Sequence, residues 1–234
     1  MRLDKFLSSA MGLGSRTDVK KFIKNGRVEV IGADNPRPEL SIDPEKSEVY
    51  FDGKLQKYKK FIYLMLNKPK GYVSATVDRD NPTVIDLVPE NFLRFELFPV
   101  GRLDIDTEGL CILTNDGELS HKLLSPKNHI SKKYRAKLDA VPKDDELEKI
   151  RNGIILEDGY KCKPAIVTFD VENEAFYITI YEGKYHQVKR MFGAIGRRVL
   201  ELKRVEMNKL TLDDKLAPGE IRELTDEELK LLQV

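Results

Sequence analysis

The stretch GRLDIDTEGLCILTNDG, residues 101–117, places an arginine and four carboxylates around one apolar run. The run GLCIL followed by TNDG predicts a buried strand that ends in a tight turn, which assigns Asn115 and Asp116 to backbone geometry. Glu108 precedes Gly109 in an expected bend and is expected to be solvated. A metal loop is disfavoured because the stretch lacks the spacing, the glycine and the final glutamate of an EF-hand.

Three side chains of this stretch are therefore left as candidates for chemistry: Arg102, Asp104 and Asp106. If PVGRLD continues an extended strand, Arg102 and Asp104 point to the same face. On spacing alone, Arg102 and Asp104 are nevertheless better explained as solvent-exposed surface residues than as reacting groups.

Outside this stretch, the region from residue 60 alternates strand-like and helical patterns. Apolar or alternating runs predict strands over 61–66, 97–104, 109–117, 132–139, 166–171 and 175–184. Helical spacing occurs over 117–125, 144–153, 185–196 and 225–233, where Thr225 and Glu228 form a capping-box pattern. Strands joined mainly by hairpins, with helices between some of them, predict an α+β fold with a mixed, mostly antiparallel sheet flanked by helices.

The N-terminal region predicts a small separate α/β domain. Apolar residues at helical spacing over 2–11 predict a first helix, and the pair Ser15 and Asp18 predicts the start of a second that ends at Asn25-Gly26. RVEVIG (27–32) and SEVYFDG (47–53) read as short strands, and the Lys-rich GKLQKYKK (53–60) reads as a linker. The expected division is 1–59 for this domain with its linker and 60–234 for the larger domain.

The charge of the chain is distributed unevenly. The net charge of the 234 residues is +1, yet residues 1–27 hold seven basic and two acidic side chains, which leaves −4 on the remainder. A basic module on a mildly acidic body indicates binding to a polyanion. No apolar run is long enough for a membrane span, and the N-terminus does not resemble a secretory signal. Cys111 and Cys162 are the only cysteines and lack a metal-binding spacing, so the chain is expected to be a cytoplasmic protein with reduced thiols and no metal site. No membrane association is expected, and composition gives no reason to expect an oligomer, so a monomer is the expected state.

The first quarter of the chain resembles the S4-type RNA-binding domain. The resemblance rests on RLDKFL (2–7), SR (15–16) and IKNGRVEV (23–30). It implies that phosphate contacts from basic side chains position an RNA without reading its sequence. The side chains assigned to this docking are Arg2, Arg16, Lys20, Lys21, Lys24 and Arg27.

The larger region resembles the small-subunit ribosomal pseudouridine synthases of type A and their large-subunit relatives. Four motifs carry the resemblance in order: LNKPKGYVSA (66–75), GRLDIDTEGLCILTNDGE (101–118), SKKYRAKLD (131–139) and YEGKYHQVKRMFGAIG (181–196). Together with the S4-like region they cover nearly the whole chain. The resemblance implies the pseudouridine synthase fold and an isomerisation that needs no cofactor or metal.

The resemblance also implies a role for individual residues. Asp104 is the catalytic carboxylate, Lys189 is the basic residue that pairs with it, and Arg190 is the alternative for that pairing as well as a substrate contact. Arg102 helps to hold the extruded nucleotide, and Tyr134 packs against the uracil. Asp106 and Thr107 support the loop, Lys68 contacts a substrate phosphate, His186 is a structural hydrogen-bonding residue, and His121 and His129 have no role.

The implied substrate is a uridine of bacterial-type 16S ribosomal RNA, at the site conventionally numbered 516, in free RNA or in a partly assembled small subunit. Two alternatives remain open: a large-subunit 23S RNA synthase of the same family, and a non-catalytic RNA-binding assembly factor. A hydrolase that uses paired aspartates is a more distant third, because Asp104 and Asp106 lack a clear metal or nucleophile arrangement.

Overall fold

The computed structural model describes residues 1–232, which divide into two compact units. The first unit contains Met1–Phe61 and the segment Glu90–Glu96, and the second contains Ile62–Pro89 and the chain from Leu97 onward. The division lies two residues beyond the expected boundary. Nothing in the sequence pattern had placed the segment Glu90–Glu96 with the N-terminal region.

The first unit packs short helices on a small antiparallel sheet. Its helices are α1 (Leu3–Lys5), continued by a π-helical turn (Phe6–Ala10), α2 (Arg16–Lys24) and α3 (Glu90–Leu93). Its strands β1 (Val28–Val30), β2 (Val49–Phe51) and β3 (Lys54–Leu55) pair in that order. The predicted capping box of α2 is present, with Ser15 and Asp18 bonding each other's backbone amides.

The first predicted helix is wound more widely than an α-helix after Lys5. The Ser8 hydroxyl donates to the Asp4 carbonyl at 2.7 Å, and the Met11 amide donates to Phe6, five residues back. A serine hydroxyl that occupies a helix carbonyl competes with the regular i to i−4 bonds, which accounts for the wider turn.

The second unit follows the α+β pattern expected from the sequence. Its elements in chain order are β4 (Tyr63–Lys68), β5 (Phe98–Pro99), β6 (Glu108–Thr114), α4 (Gly117–Leu124), β7 (Lys132–Leu138), α5 (Asp144–Arg151), β8 (Ile166–Asp170), β9 (Ala175–Ile180), α6 (Gln187–Gly193), β10 (Val199–Met207), β11 (Leu210–Thr211), β12 (Ile221–Glu223) and α7 (Asp226–Leu232). The capping box of Thr225 and Glu228 precedes α7 as predicted, while Gln233, the last residue of that predicted helix, lies outside the described residues.

A single mixed sheet organises the second unit. Within the described residues its strands lie in the order β12-β4-β6-β10-β7-β9-β8, with β5 beside β6 and β11 beside β10. Only the β6–β10 pair is parallel among these strands. The prediction of a mixed, mostly antiparallel sheet is confirmed. The sequence reading missed β10, a nine-residue strand at the centre of the sheet.

Strands β4 and β6 are apolar on both faces because they lie inside the sheet with cover on each side. Leu64, Met65 and Leu66 are consecutive and fully buried, as are Ile112 and Leu113 opposite them. A continuous apolar run is what a doubly covered strand requires. The core formed here fixes the strand ends from which the loop at residues 101–107 departs.

The parallel pair of β6 and β10 depends on Gly109. Its φ is +100°, and a Cβ at this position would lie 2.2 Å from the backbone oxygen of Arg204, its partner in the ladder. Only glycine permits this separation of the two backbones. Gly109 thereby fixes where β10 presents the Arg204 side chain.

Candidate active site

The loop that carries Arg102 and Asp104 is not a continuation of the preceding strand. Strand β5 ends at Pro99, and the loop runs to the start of β6 at Glu108. The Ser74 hydroxyl accepts a hydrogen bond from the Leu103 amide at 3.0 Å and donates to the Leu103 carbonyl at 3.1 Å. The LNKPKGYVSA motif therefore acts as a brace for the GRLD backbone.

Lys68, at the end of β4, holds the same loop through hydrogen bonds from its buried side chain. Its side chain is fully buried, and its Nζ donates to the carbonyls of Pro69, Asp104 and Thr107 at 3.0, 3.1 and 2.8 Å. Burial lowers the pKa of Lys68 to about 8. The expected contact between Lys68 and a substrate phosphate does not fit this placement, because the ammonium group is enclosed and its donors are occupied by the loop.

The carboxylate of Asp104 faces two basic side chains from the segment 185–196. The Lys189 Nζ lies 3.3 Å from Asp104 Oδ2, and the His186 Nε2 lies 3.5 Å from Asp104 Oδ1. Lys189 is in the first turn of α6, and His186 occupies the N-cap position of that helix. Arg190 pairs with Asp158 at 2.6 Å instead, so the structure brings Lys189 and not Arg190 to Asp104.

Lys189 also binds the second carboxylate of the loop. Its Nζ lies 2.5 Å from Asp106 Oδ1. Burial disfavours the charged ammonium, but the hydrogen bond to Asp106 and the charge of Asp104 outweigh it, and the pKa of Lys189 is raised. Burial likewise acts to raise the pKa of Asp106, yet the Lys189 contact leaves it below its ordinary value. The loop thus holds two carboxylates around one cation.

A buried network orients the start of α6. Glu182, which is 7% exposed, accepts hydrogen bonds from the Tyr160 hydroxyl at 2.7 Å and from Gln187 Nε2 at 2.5 Å. Hydrogen bonding to Glu182 raises the pKa of Tyr160 to about 12. Since Gln187 begins α6, this network fixes the position from which Lys189 reaches Asp104.

These side chains surround one cavity of about 1070 Å³ within the second unit. Arg102, Asp104, Tyr134 and Lys189 all line it, so four of the predicted site residues come together. Tyr134, on β7, is 8% exposed. The volume is ample for a nucleotide, and both charged and apolar side chains line the cavity.

Tyr185 and His186 form an aromatic stack on the wall of this cavity. Their ring centroids are 3.8 Å apart with an interplanar angle of 18°, and Tyr185 is 76% exposed. His186 has a left-handed backbone with φ +48°, which is uncommon for a residue other than glycine. The expected structural role of His186 stays a prediction, and the structure adds that its ring lies beside Asp104. The sequence analysis did not consider Tyr185. Its position directly before His186 was the signal that could have identified this aromatic stack.

In the first unit the predicted RNA-docking side chains fall into two groups. Arg2 and Arg16 both bind the fully buried Asp4, at 3.0 and 2.9 Å, and the hydrogen bond from Arg2 chiefly holds the pKa of Asp4 below its ordinary value. Arg27 forms a two-pronged pair with Asp52 and lies over the rings of Phe22 and Phe51. The three lysines are exposed: Lys20, Lys21 and Lys24.

Within residues 1–232, no group of three or more metal-ligating side chains is assembled. Across the same residues, none of the helices combines the length and apolar character that crossing a membrane requires.

Comparison with known proteins identifies the family. Residues 62–194 match the family model described as RNA pseudouridylate synthase, and residues 1–30 match that of the S4 domain. An RNA pseudouridine synthase of Bacillus subtilis (strain 168) is 49% identical over 99% of this chain and 98% of its own length. The ribosomal small subunit pseudouridine synthase A of Yersinia pestis is 44% identical over 98% and 97% of the two chains, and that of Escherichia coli (strain K12) is 41% identical over 98% of each.

A solved structure agrees with these matches. A crystal structure of a pseudouridylate synthase covers all of both chains with a TM-score of 0.69 and 36% identity. The chain therefore belongs to the RNA pseudouridine synthase family and carries an S4 domain at its N-terminus. It is an isomerase of RNA uridine, as the motifs predicted.

Proposed function

We propose that this enzyme converts one uridine of 16S ribosomal RNA to pseudouridine and that Asp104 is the reacting carboxylate. The observation that carries the assignment is the position of Asp104 on the cavity wall, with Lys189 Nζ at 3.3 Å and His186 Nε2 at 3.5 Å. The name shared by the relatives at 41–44% identity, ribosomal small subunit pseudouridine synthase A, supports the choice of RNA.

The reaction breaks the bond between N1 of the base and C1′ of the sugar, turns the base and joins C5 to C1′. The C5 proton is lost and N1 gains one, so nothing is oxidised and no atom is lost overall. An ionised carboxylate can add to C1′, add to C6 of the uracil, or remove the proton at C2′, and in this proposal each of these routes begins with Asp104. Lys189 Nζ, 3.3 Å from Asp104 Oδ2, supplies a positive charge beside this half-buried carboxylate.

The remaining cavity residues are assigned by their positions. Arg102 is exposed on the cavity wall, where a guanidinium can brace the gap left by an extruded base. Tyr134 offers an aromatic face to the uracil. Lys68 and Arg190 act on the protein instead, Lys68 through the loop carbonyls and Arg190 through Asp158.

The first unit serves as the docking module in this proposal, with the functional division at 1–59 and 60–234. The phosphate contacts come from three lysines of α2, Lys20, Lys21 and Lys24. Their side chains are exposed, and their positive charges attract the phosphate groups of RNA. Arg2, Arg16 and Arg27 shape this surface through their ion pairs and offer their outward faces to the RNA. The enzyme is proposed to act as a cytoplasmic monomer on the RNA or on a partly assembled small subunit, at the uridine numbered 516.

The test is to map pseudouridine by carbodiimide labelling and primer extension in 16S and 23S RNA from cells that lack the protein. We expect the loss of one 16S position, restored by the wild-type chain and by Asp158→Asn, but not by Asp104→Asn. Loss of a 23S position instead would keep the chemistry and overturn the choice of RNA. If neither RNA loses a position, the non-catalytic binding factor becomes the better description.

A further inference from the structure

The face of the sheet toward the cavity carries two buried cations that the proposed function does not use. Lys132 and Tyr134 lie two residues apart on β7, and Arg204 on β10 is the direct ladder partner of Tyr134. Lys132 is 8% exposed and Arg204 is 2% exposed, and both line the same cavity as Asp104. The aromatic ring expected to contact the uracil is therefore flanked by two positive charges.

Neither cation is neutralised within the part of the chain that the structure describes. The Lys132 Nζ donates to the Ile130 carbonyl at 3.2 Å, and the Arg204 Nε donates to the Leu110 carbonyl at 2.8 Å. Arg204 Nη2 is buried and has no hydrogen-bond partner. Burial and the charge of Arg204 lower the pKa of Lys132 to about 8. Buried donors without partners are costly, and a site that keeps them is often one that supplies them to a ligand.

Lys132 and Arg204 have fewer hydrogen-bond or ion-pair partners than two other charged side chains, Lys68 and Arg222. Lys68 is equally buried, but several backbone carbonyls accept its hydrogen bonds. Arg222 is paired with Asp213 and Glu228. Lys132 and Arg204 each donate to a single backbone carbonyl, and no carboxylate pairs with either within the described residues. Both line the cavity, where an oxygen-rich, negatively charged group of the substrate would complete their hydrogen bonding.

We propose that Lys132 and Arg204 bind the carbonyl oxygens of the target uracil and stabilise the negative charge that its ring acquires during the reaction. This inference rests on the proposed function. When the N1–C1′ bond breaks, its electron pair remains on the ring and is shared between N1 and the carbonyl oxygens. If Asp104 instead adds to C6, the displaced electrons form an enolate at the C4 oxygen. Every route therefore places negative charge on an oxygen of the base.

Charge that develops in a transition state is best stabilised by donors fixed before the reaction begins. The close approach of β6 and β10 at Gly109 fixes the Arg204 backbone, and the Leu110 carbonyl holds its guanidinium. Lys132 is fixed by its strand and by Ile130. These two cations act on the base, whereas Lys189 acts on the carboxylate.

The experiment measures single-turnover conversion of an RNA substrate by the full chain, with either uridine or 5-fluorouridine at the target position. Fluorine withdraws electrons and stabilises the ring anion, so a 5-fluorouracil needs less help from the protein. The readout is disappearance of the target nucleoside after nuclease digestion. Lys132→Met removes one cation, and Lys133→Met, one position along the same strand, is the matched control because Lys133 does not line the cavity.

Removal of one preorganised donor slows such reactions by about 100-fold or more, which is the loss we expect for Lys132→Met on uridine, with an RNA Kd within about twofold of wild type. The loss on 5-fluorouridine should be at least about tenfold smaller. Arg204→Lys retains a positive charge but loses Nη2. We expect its rate on uridine to fall less than that of Lys132→Met, and to fall less on 5-fluorouridine than on uridine. Arg204→Lys also provides the test of the inference if Lys132→Met fails to fold.

Equal losses on the two substrates, or equal rates for Lys132→Met and Lys133→Met, would overturn the inference while leaving the enzyme's activity established. Absence of conversion by the wild-type chain would instead refute the proposed function, which separates the two failures.

Discussion

Lys68→Met is the substitution that most directly tests how the loop at residues 101–107 is held. Methionine nearly matches the length and volume of lysine but donates no hydrogen bonds. The change deprives the carbonyls of Pro69, Asp104 and Thr107 of donors that lie at 2.8–3.1 Å. A buried polar group left without a partner costs about 1–3 kcal/mol. Water can reach some of these oxygens once the loop loosens, and the ammonium no longer has to be buried, so we expect a net loss of about 3 kcal/mol.

The assay is urea denaturation followed by the fluorescence of the tyrosines, together with single-turnover conversion of the RNA. Lys70→Met is the control, because Lys70 lies in the same motif, is half exposed and makes only a 3.7 Å contact with Glu108. A surface pair of this kind contributes at most about 1 kcal/mol. We expect activity to fall with Lys68→Met at urea concentrations where the chain is still folded. A variant as stable and as active as Lys70→Met would refute the role assigned to these hydrogen bonds.

Three further predictions concern the proposed RNA-binding surfaces and the first unit. Replacing Lys20, Lys21 and Lys24 with Ala should reduce the slope of log K against log salt by about 2, which filter binding measures, and an unchanged slope would contradict the docking role. Tyr185→Ala should raise the Kd for RNA about tenfold, because stacking on a base contributes roughly 1–3 kcal/mol; Tyr185→Phe should bind as wild type does. Asp4→Asn concerns acid stability. Since Arg2 lowers the pKa of Asp4 in the folded state, the ionised group stabilises the fold above its unfolded pKa of about 3.8, and this is lost as pH falls through the lower folded value. The variant should therefore lose about 1 kcal/mol at pH 7 and progressively less as the pH falls below about 3.8, and a loss independent of pH in thermal melts would contradict this origin.

The elements that could be predicted from sequence are those that local rules determine. The capping residues Ser15 and Thr225 mark helix starts through bonds within a single turn. The run GLCIL predicts a covered strand because its residues have no polar face. Strand β10 was missed for the opposite reason. Its sequence VLELKRVEM alternates charged and apolar residues irregularly, and bulges in its pairing with β7 break the period on which such predictions depend.

The part of the site that could be predicted came from the family resemblance rather than from a local pattern. That resemblance implied Lys189 beside Asp104, and Lys189 lies there. Lys68 was not placed correctly, because a lysine in a polar turn gives no indication that its amino group will be buried against backbone carbonyls. Arg204 could not be identified at all, since its significance arises only when the unpredicted β10 lies beside β7. Long-range pairing creates such sites, and periodicity does not report it.

The bracing of the loop at 101–107 by Lys68 and Ser74 has a consequence for the choice of uridine. With Asp104 as the reacting carboxylate, as proposed, a carboxylate held this firmly does not follow its target, so the RNA would have to bring the ribose to it by opening its own structure. Selection then depends in part on the free energy needed to swing each nucleotide out of its helix. Between two sites of equal sequence, a difference of about 1.4 kcal/mol in that opening changes the conversion rate about tenfold. The local stability of the RNA structure around a uridine, as well as the RNA sequence, would then determine which position is modified.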